Sequence, residues 1–166
     1  SETINGTAGA DVLATGGGLW DKLAGGAAND AYIVEINQTT VAEAYGGGDD
    51  TVYSYADFLT VASEVEHFVL LAGAGSVSAN RYDNTILGNV GANSLSSQAG
   101  NDSIEGGLDT DTAVFSGDYA DYLIVENGDG SLTVTDTVGT DGVDTLVNIE
   151  LLGFADQTID VATLIV

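Results

Sequence analysis

Apolar positions along this chain fall in short Val, Ile, Leu and Tyr segments set between clusters of glycine and acid, and no stretch keeps a helical period over 12 or more residues. The pattern predicts short strands joined by tight turns. From Asp118 the spacing changes: alternating stretches run over 122–126 (YLIVE), 131–136 (SLTVTD) and 145–154 (TLVNIELLGF). Asn-Gly and Asp-Gly at 127–130 separate the first two and predict a hairpin. Two regions follow: 1–117, short strands and turns, and 118–166, which reads as an antiparallel cap.

Aligned on their acids, the segments before 118 repeat every nine residues. One block holds GTAGADVLA (6–14), then Thr15, then GGGLWDKLA (16–24) and GGAANDAYI (25–33). A second runs as GNVGANSLS (88–96), SQAGNDSIE (97–105) and GGLDTDTAV (106–114). Looser copies are ANRYDNTIL (79–87) and LLAGAGSVS (70–78), and isolated ones are YGGGDDTVY (45–53) and GTDGVDTLV (139–147). Such a period belongs to a repeat architecture in which neighbouring units bury one another's apolar face.

Composition sharpens this picture. With 166 residues and 44% hydrophobic content the chain has enough apolar material for a core. Against 26 acids stand only Lys22 and Arg81, a formal charge of −24 that repels nucleic acid and anionic lipid and favours cations as partners. Cysteine is absent, which removes disulfides and thiolate metal sites. No apolar run approaches the ~20 residues of a membrane helix, and no N-terminal signal pattern is visible. With no methionine anywhere, Ser1 reads as the start of a processed product or a fragment.

The nonapeptides resemble GGxGxDxUx of the RTX (repeats-in-toxin) family, where U is a large apolar residue, and the later segments resemble that family's linking repeats and closing module. The resemblance implies an all-β fold, a right-handed parallel β-roll with calcium held in its turns. Two nonapeptides make one roll turn, so Asp11 is expected to stack near Asp30, Asn84 near Asp102, and Asn93 near Asp111. Carboxylates one strand spacing apart, ~4.8 Å, repel by roughly 3 kcal/mol at an effective dielectric of ~20. A cation between turns converts that repulsion into ligation, and binding free energy becomes folding free energy. Calcium takes 6 to 8 oxygens, more than one turn supplies, so backbone carbonyls freed by the glycines are expected to contribute. The expected metal residues are Asp11, Asp21, Asp30, Asp50, Asn93, Asp102, Asp111 and Asp144, with Gly9, Gly25, Gly100 and Gly106. Leu13, Leu23, Tyr32, Leu95, Ile104 and Ala113, at the eighth places, are expected to face the core.

Departures from the motif limit the number of good sites. Leu19, Ala28 and Asp109 replace the fourth glycine, Thr7, Asn89, Ser97 and Gln98 replace first or second glycines, and Asn84 and Asn93 keep an oxygen but lose its charge. Non-glycine residues forced to positive φ cost on the order of 1 kcal/mol. His67, the only histidine, lies beside Glu64 and Glu66 without a nucleophile placed with it, so the chain is expected to be non-catalytic. Trp20 is expected in a solvent-facing turn, where it can cover an interface or stack on a sugar. The apolar ending ATLIV (162–166) resembles that of proteins exported by type I secretion. The leading expectation is a calcium-binding module, secreted or at the cell surface; a self-assembling surface-layer, fibre or adhesin subunit and a polysaccharide-binding accessory module are the alternatives.

Overall fold

The structure is a computed structural model that describes residues 2–16, 20–56, 59–60 and 64–164. Among them lie eighteen short strands: β1 (Thr3–Asn5), β2 (Val12–Ala14), β3 (Lys22–Ala24), β4 (Ala31–Val34), β5 (Thr40–Val41), β6 (Thr51–Ser54), β7 (Leu59–Thr60), β8 (His67–Leu70), β9 (Ser76–Ser78), β10 (Thr85–Leu87), β11 (Ser94–Ser96), β12 (Ser103–Glu105), β13 (Thr112–Val114), β14 (Tyr122–Glu126), β15 (Leu132–Asp136), β16 (Val143–Val147), β17 (Leu151–Gly153) and β18 (Thr158–Asp160). They wind into a parallel β-solenoid of about six turns. Even-numbered strands from β2 to β12, continued by β16, β15 and β14, form one nine-stranded face. The opposite face is divided into β1-β3-β5 and a six-stranded sheet from β7 to β18.

Three-residue strands alternate out, in, out, so only the middle side chain of each reaches the interior. Those middle residues are the expected ones: Leu13, Leu23, Tyr32, Leu95, Ile104 and Ala113 are all buried. Val52, Phe68, Val77, Ile86, Leu146 and Leu152 extend the same column. Parallel partners put them in line, as with Leu13 opposite Tyr32 and Ile86 opposite Ile104. The first turn is one residue longer than two nonapeptides, 19 from Asp11 to Asp30. Thr15 absorbs the extra residue by burying at the corner, where its hydroxyl accepts the Glu35 N–H at 3.3 Å.

The closing segment is only partly antiparallel. β14 and β15 form the expected hairpin, with Gly130 at φ 89° in its turn, and β18 runs antiparallel to β17. β16 and β17, however, pair parallel with β12 and β13 and continue the roll. The reason lies in GTDGVDTLV: it is a working repeat, with Gly142 at φ 84°, a buried Asp144 and Leu146 pointing inward. The hairpin is thus an insertion into the last turn, which spans 42 residues from Asp102 to Asp144.

Aromatic packing seals this end. Phe115 stacks on Phe154 with centroids 5.3 Å apart, while Tyr122 and Tyr119 meet Phe154 at 5.0 and 5.4 Å. Asp141 pins the insertion beneath them: its carboxylate accepts the Tyr122 hydroxyl at 2.6 Å and the Ser116 N–H and hydroxyl at 2.7 Å each. A fully satisfied buried carboxylate of this kind positions an element, and it has no free oxygen for a ligand.

Candidate metal-binding turns

Each repeat turn ends on a polar residue directly before a strand, and stacking lines these residues into a ladder along each edge of the roll. Along one edge the backbone N–H of Asp11 donates to Asp30 Oδ1 (2.8 Å), that of Asp30 to Asp50 Oδ1 (2.7 Å) and that of Asp50 to Glu66 Oε2 (2.8 Å). Further up, Asn84 N–H donates to Asp102 Oδ1 (2.6 Å) and Asp102 N–H to Asp144 Oδ1 (2.9 Å). The other edge repeats the rule from Glu2 to Asp21 (2.9 Å), from Asn93 to Asp111 (2.7 Å) and from Asp111 to Glu150 Oε2 (2.9 Å). All three expected stacked pairs are therefore adjacent. Glu66 and Glu150 were not among the expected residues; their signal is an acid immediately preceding a strand outside any nonapeptide.

One carboxylate oxygen is used by the ladder, and the second is the telling one. Asp21, Asp30, Asp50, Asp102 and Asp111 each bury Oδ2 with no hydrogen-bond partner. Asp50 and Asp111 have no exposed surface at all. Leaving a buried polar group unpaired costs about 1–3 kcal/mol, and more for a charged one. The titration of these groups reflects that cost. Burial pushes Asp50 and Asp102 up to about 6 and Asp144 up to about 8, the last also raised by the Asp102 charge, and burial raises Asp111 as well.

Such oxygens call for a cation, and the surrounding donors decide which. Among the described residues no cluster of three or more His, Cys, Asp or Glu side chains is built to hold a metal. Backbone must therefore complete the set, and the glycines bring it close. A side chain at Gly106 would strike the Asn148 carbonyl and stand 2.6 Å from Asp111 Oδ2; one at Gly25 would strike the Asp30 carboxylate; one at Gly100 would stand 2.6 Å from the Tyr82 carbonyl. Carbonyl oxygens packed against buried carboxylates suit a hard, oxygen-seeking ion of variable coordination, which is the chemistry of calcium. The residues that would hold it are Asp21, Asp30, Asp50, Asp102 and Asp111 with neighbouring carbonyls, Asp144 standing beside Asp102. When bound, the ion supplies the positive charge that ends the repulsion along each ladder.

Other expected residues sit differently. Asp11 is engaged by its own turn: its Oδ2 accepts the Thr7 N–H at 2.6 Å and the Thr7 hydroxyl at 2.9 Å. Gly9 has only Thr7 Oγ1, at 3.9 Å, near the place of a side chain, and no acid beside it. Asn93 accepts the Asn89 N–H and gives its own amide to the Ala74 carbonyl. Ala28, Gln98 and Asp109 do adopt positive φ, at 69°, 73° and 76°, whereas Thr7, Asn89 and Ser97 do not; Leu19 lies outside the described residues. Trp20, at φ 66°, is 67% exposed next to Asp21. His67 pairs through Nε2 with Asp49 Oδ1 at 2.8 Å rather than with its sequence neighbours Glu64 or Glu66.

A pH dependence follows. In the calcium-free fold the raised carboxyls hold protons that the unfolded chain releases near pH 4, so between about pH 4 and about pH 8 the folded state binds more protons. Stability of the chelated protein therefore falls as pH rises through that window. Without calcium, the folded fraction is therefore expected to be larger at pH 5 than at pH 8. In calcium, which competes with those protons, the order reverses. Circular dichroism at the two pH values checks both, and Asp144→Asn should shrink the chelated difference; equal chelated β-content at pH 5 and pH 8 contradicts it.

No curated protein matches the chain. The repeats do match a family: residues 1–32 and 78–113 fit the RTX calcium-binding nonapeptide repeat, in four copies. Both matched segments contain turns with spare carboxylate oxygens, Asp21 and Asp30 in the first, Asp102 and Asp111 in the second. The chain is a carrier of RTX nonapeptide repeats, and these repeats bind calcium.

Proposed function

We propose that this chain is a non-catalytic, calcium-folded module of a protein exported by type I secretion, acting outside the cell. RTX repeats are a structural calcium-binding unit, generally without catalysis of their own. The observation that carries the reading is the set of five buried carboxylate oxygens without partners in a chain of formal charge −24. Both features oppose folding in the absence of a cation and reverse sign in its presence. Extracellular calcium is millimolar and cytoplasmic calcium submicromolar, so such a chain folds after export. Of the expected export segment ATLIV, residues 165 and 166 lie outside the described residues.

Calcium titrated into the chelated chain, followed by circular dichroism, tests this. β-structure should appear with a midpoint of about 0.1–1 mM, the range of extracellular calcium modules, and not with magnesium, which tolerates only near-octahedral sites. A chelated chain already folded, with a melting temperature that calcium does not change, removes the proposal. Sugar stacking would draw on Trp20, which is 67% exposed next to Asp21, and self-association on Trp20 with the exposed end of the roll and the degenerate coils.

A further inference from the structure

Seven repeat turns fall into two kinds, sorted by the residue at the second place of the nonapeptide; the turn at 139–144, with Thr140 there, belongs to neither. Where it is Thr7, Asn80 or Asn89, the turn closes on itself. Thr7 Oγ1 accepts the Gly9 N–H (3.1 Å), Asn80 Oδ1 the Tyr82 N–H (3.0 Å) and Asn89 Oδ1 the Gly91 N–H (2.8 Å). The backbone N–H of the same residue then donates to the sixth residue: Thr7 to Asp11, Asn80 to Asn84, Asn89 to Asn93. None of these second-place residues has positive φ. Where the second place is Gly26, Gln98 or Gly107 the backbone is left-handed instead, at φ 112°, 73° and 109°, and the sixth residue is Asp30, Asp102 or Asp111 with a buried, unpartnered Oδ2. Gly46, at 72°, and Asp50 follow the same rule.

In the asparagine turns the amides also fill the place of a cation toward the neighbouring turn. Asn80 Nδ2 and Asn84 Nδ2 both donate to the Val65 carbonyl, at 2.8 and 2.9 Å. Asn89 Nδ2 donates to the Leu71 and Ala74 carbonyls, at 2.9 and 2.7 Å, and Asn93 Nδ2 to Ala74 at 3.2 Å. Carbonyl oxygens gathered from adjacent turns are thus satisfied by N–H donors carrying no net charge.

We infer that the second-place residue decides which turns take calcium: Thr7, Asn80 and Asn89 close their turns to it, and glycine or a left-handed residue there opens them. The inference rests on calcium binding by the open turns. Its consequence is a calcium-independent stretch, held by the turns at 79–84 and 88–93, between two calcium-dependent ends.

Thr7→Gly is the mildest test, because Thr7 is exposed and Asp11 is already in place. Calcium stoichiometry is measured on the full chain by equilibrium dialysis and by calorimetric titration. Thr7→Gly should bind one calcium ion more than the wild type, and the pair Asn89→Gly with Asn93→Asp should likewise gain one, while Asn93→Asp alone gains none because the Asn89 amide still fills the turn. Unchanged stoichiometry in both glycine variants, with the wild type binding calcium, overturns the inference and leaves the calcium reading standing. A gain in Asn93→Asp alone also overturns it, since the sixth residue would then be the determinant. A wild type that binds no calcium overturns the underlying reading and the inference with it.

Discussion

Asp102→Ala is expected to raise the calcium concentration needed for half-folding at least tenfold and to lower the melting temperature of the calcium-loaded protein by about 10 °C. Asp102 sits where the ladder is tightest. It accepts the Asn84 N–H at 2.6 Å, gives its own N–H to Asp144 at 2.9 Å and has a spare buried oxygen. Truncation leaves the Asn84 N–H buried and unpaired, a cost of about 1–3 kcal/mol, and removes a ligand from the junction with the last turn. Asp102→Asn separates the two contributions: it keeps an oxygen for Asn84 and loses the charge. The asparagine variant should therefore keep most of the chelated stability at low pH and still lose the tenfold in calcium. Equal calcium midpoints for Asp102→Asn and the wild type count against a ligand role for this carboxylate.

Gly106→Ala is expected to destabilise the protein by about 3 kcal/mol or more, as overpacking against backbone does when neither side can yield. An added methyl would strike the Asn148 carbonyl and stand 2.6 Å from Asp111 Oδ2 and 2.8 Å from Asp111 Cβ. The damage is thus steric and also falls on a spare carboxylate, so calcium affinity should drop together with stability. Gly128→Ala is the control: nothing lies within 4 Å of the place its methyl would take, and its effect should stay within about 0.5 kcal/mol. Denaturant unfolding in calcium measures both. Similar stabilities for the two variants contradict the close approach at Gly106.

Much of this architecture was legible in the repeat. A nine-residue period fixes the stacking partners, so Asp11 with Asp30, Asn84 with Asp102 and Asn93 with Asp111 could be paired from their numbers, and the eighth-place residues could be sent inward. The acids that stand outside a nonapeptide were not legible in this way. Glu66 and Glu150 enter the ladders only because roll turns of 16 and 39 residues bring them beneath Asp50 and Asp111. The last turn was read as cap alone because its alternating residues carry two messages at once. Val143 to Val147 alternate as any sheet strand does, and only Gly142 and Asp144 reveal that the strand belongs to the roll.

Which acids are spare was the least visible feature. Asp11 and Asp30 occupy the same place in the motif, yet Asp11 gives its Oδ2 to Thr7 while Asp30 is left with an unpartnered Oδ2. The difference arises four residues earlier, in the backbone conformation that Thr7 and Gly26 each permit. Substitutions that read as losses of glycine are therefore of two kinds. Ala28, Gln98 and Asp109 accept the strained conformation and keep the turn open; Thr7 and Asn89 abandon it and supply a side-chain bond instead.

A crystal grown in millimolar calcium shows, through anomalous scattering from the ions, whether the unpartnered carboxylate oxygens are calcium ligands. Calcium is expected within about 2.3–2.6 Å of Oδ2 of Asp21, Asp30, Asp50, Asp102 and Asp111, each ion completed by carbonyls of adjacent turns, with none in the turns at 79–84 and 88–93. Calcium absent from those oxygens, or found instead in the asparagine turns, would contradict this.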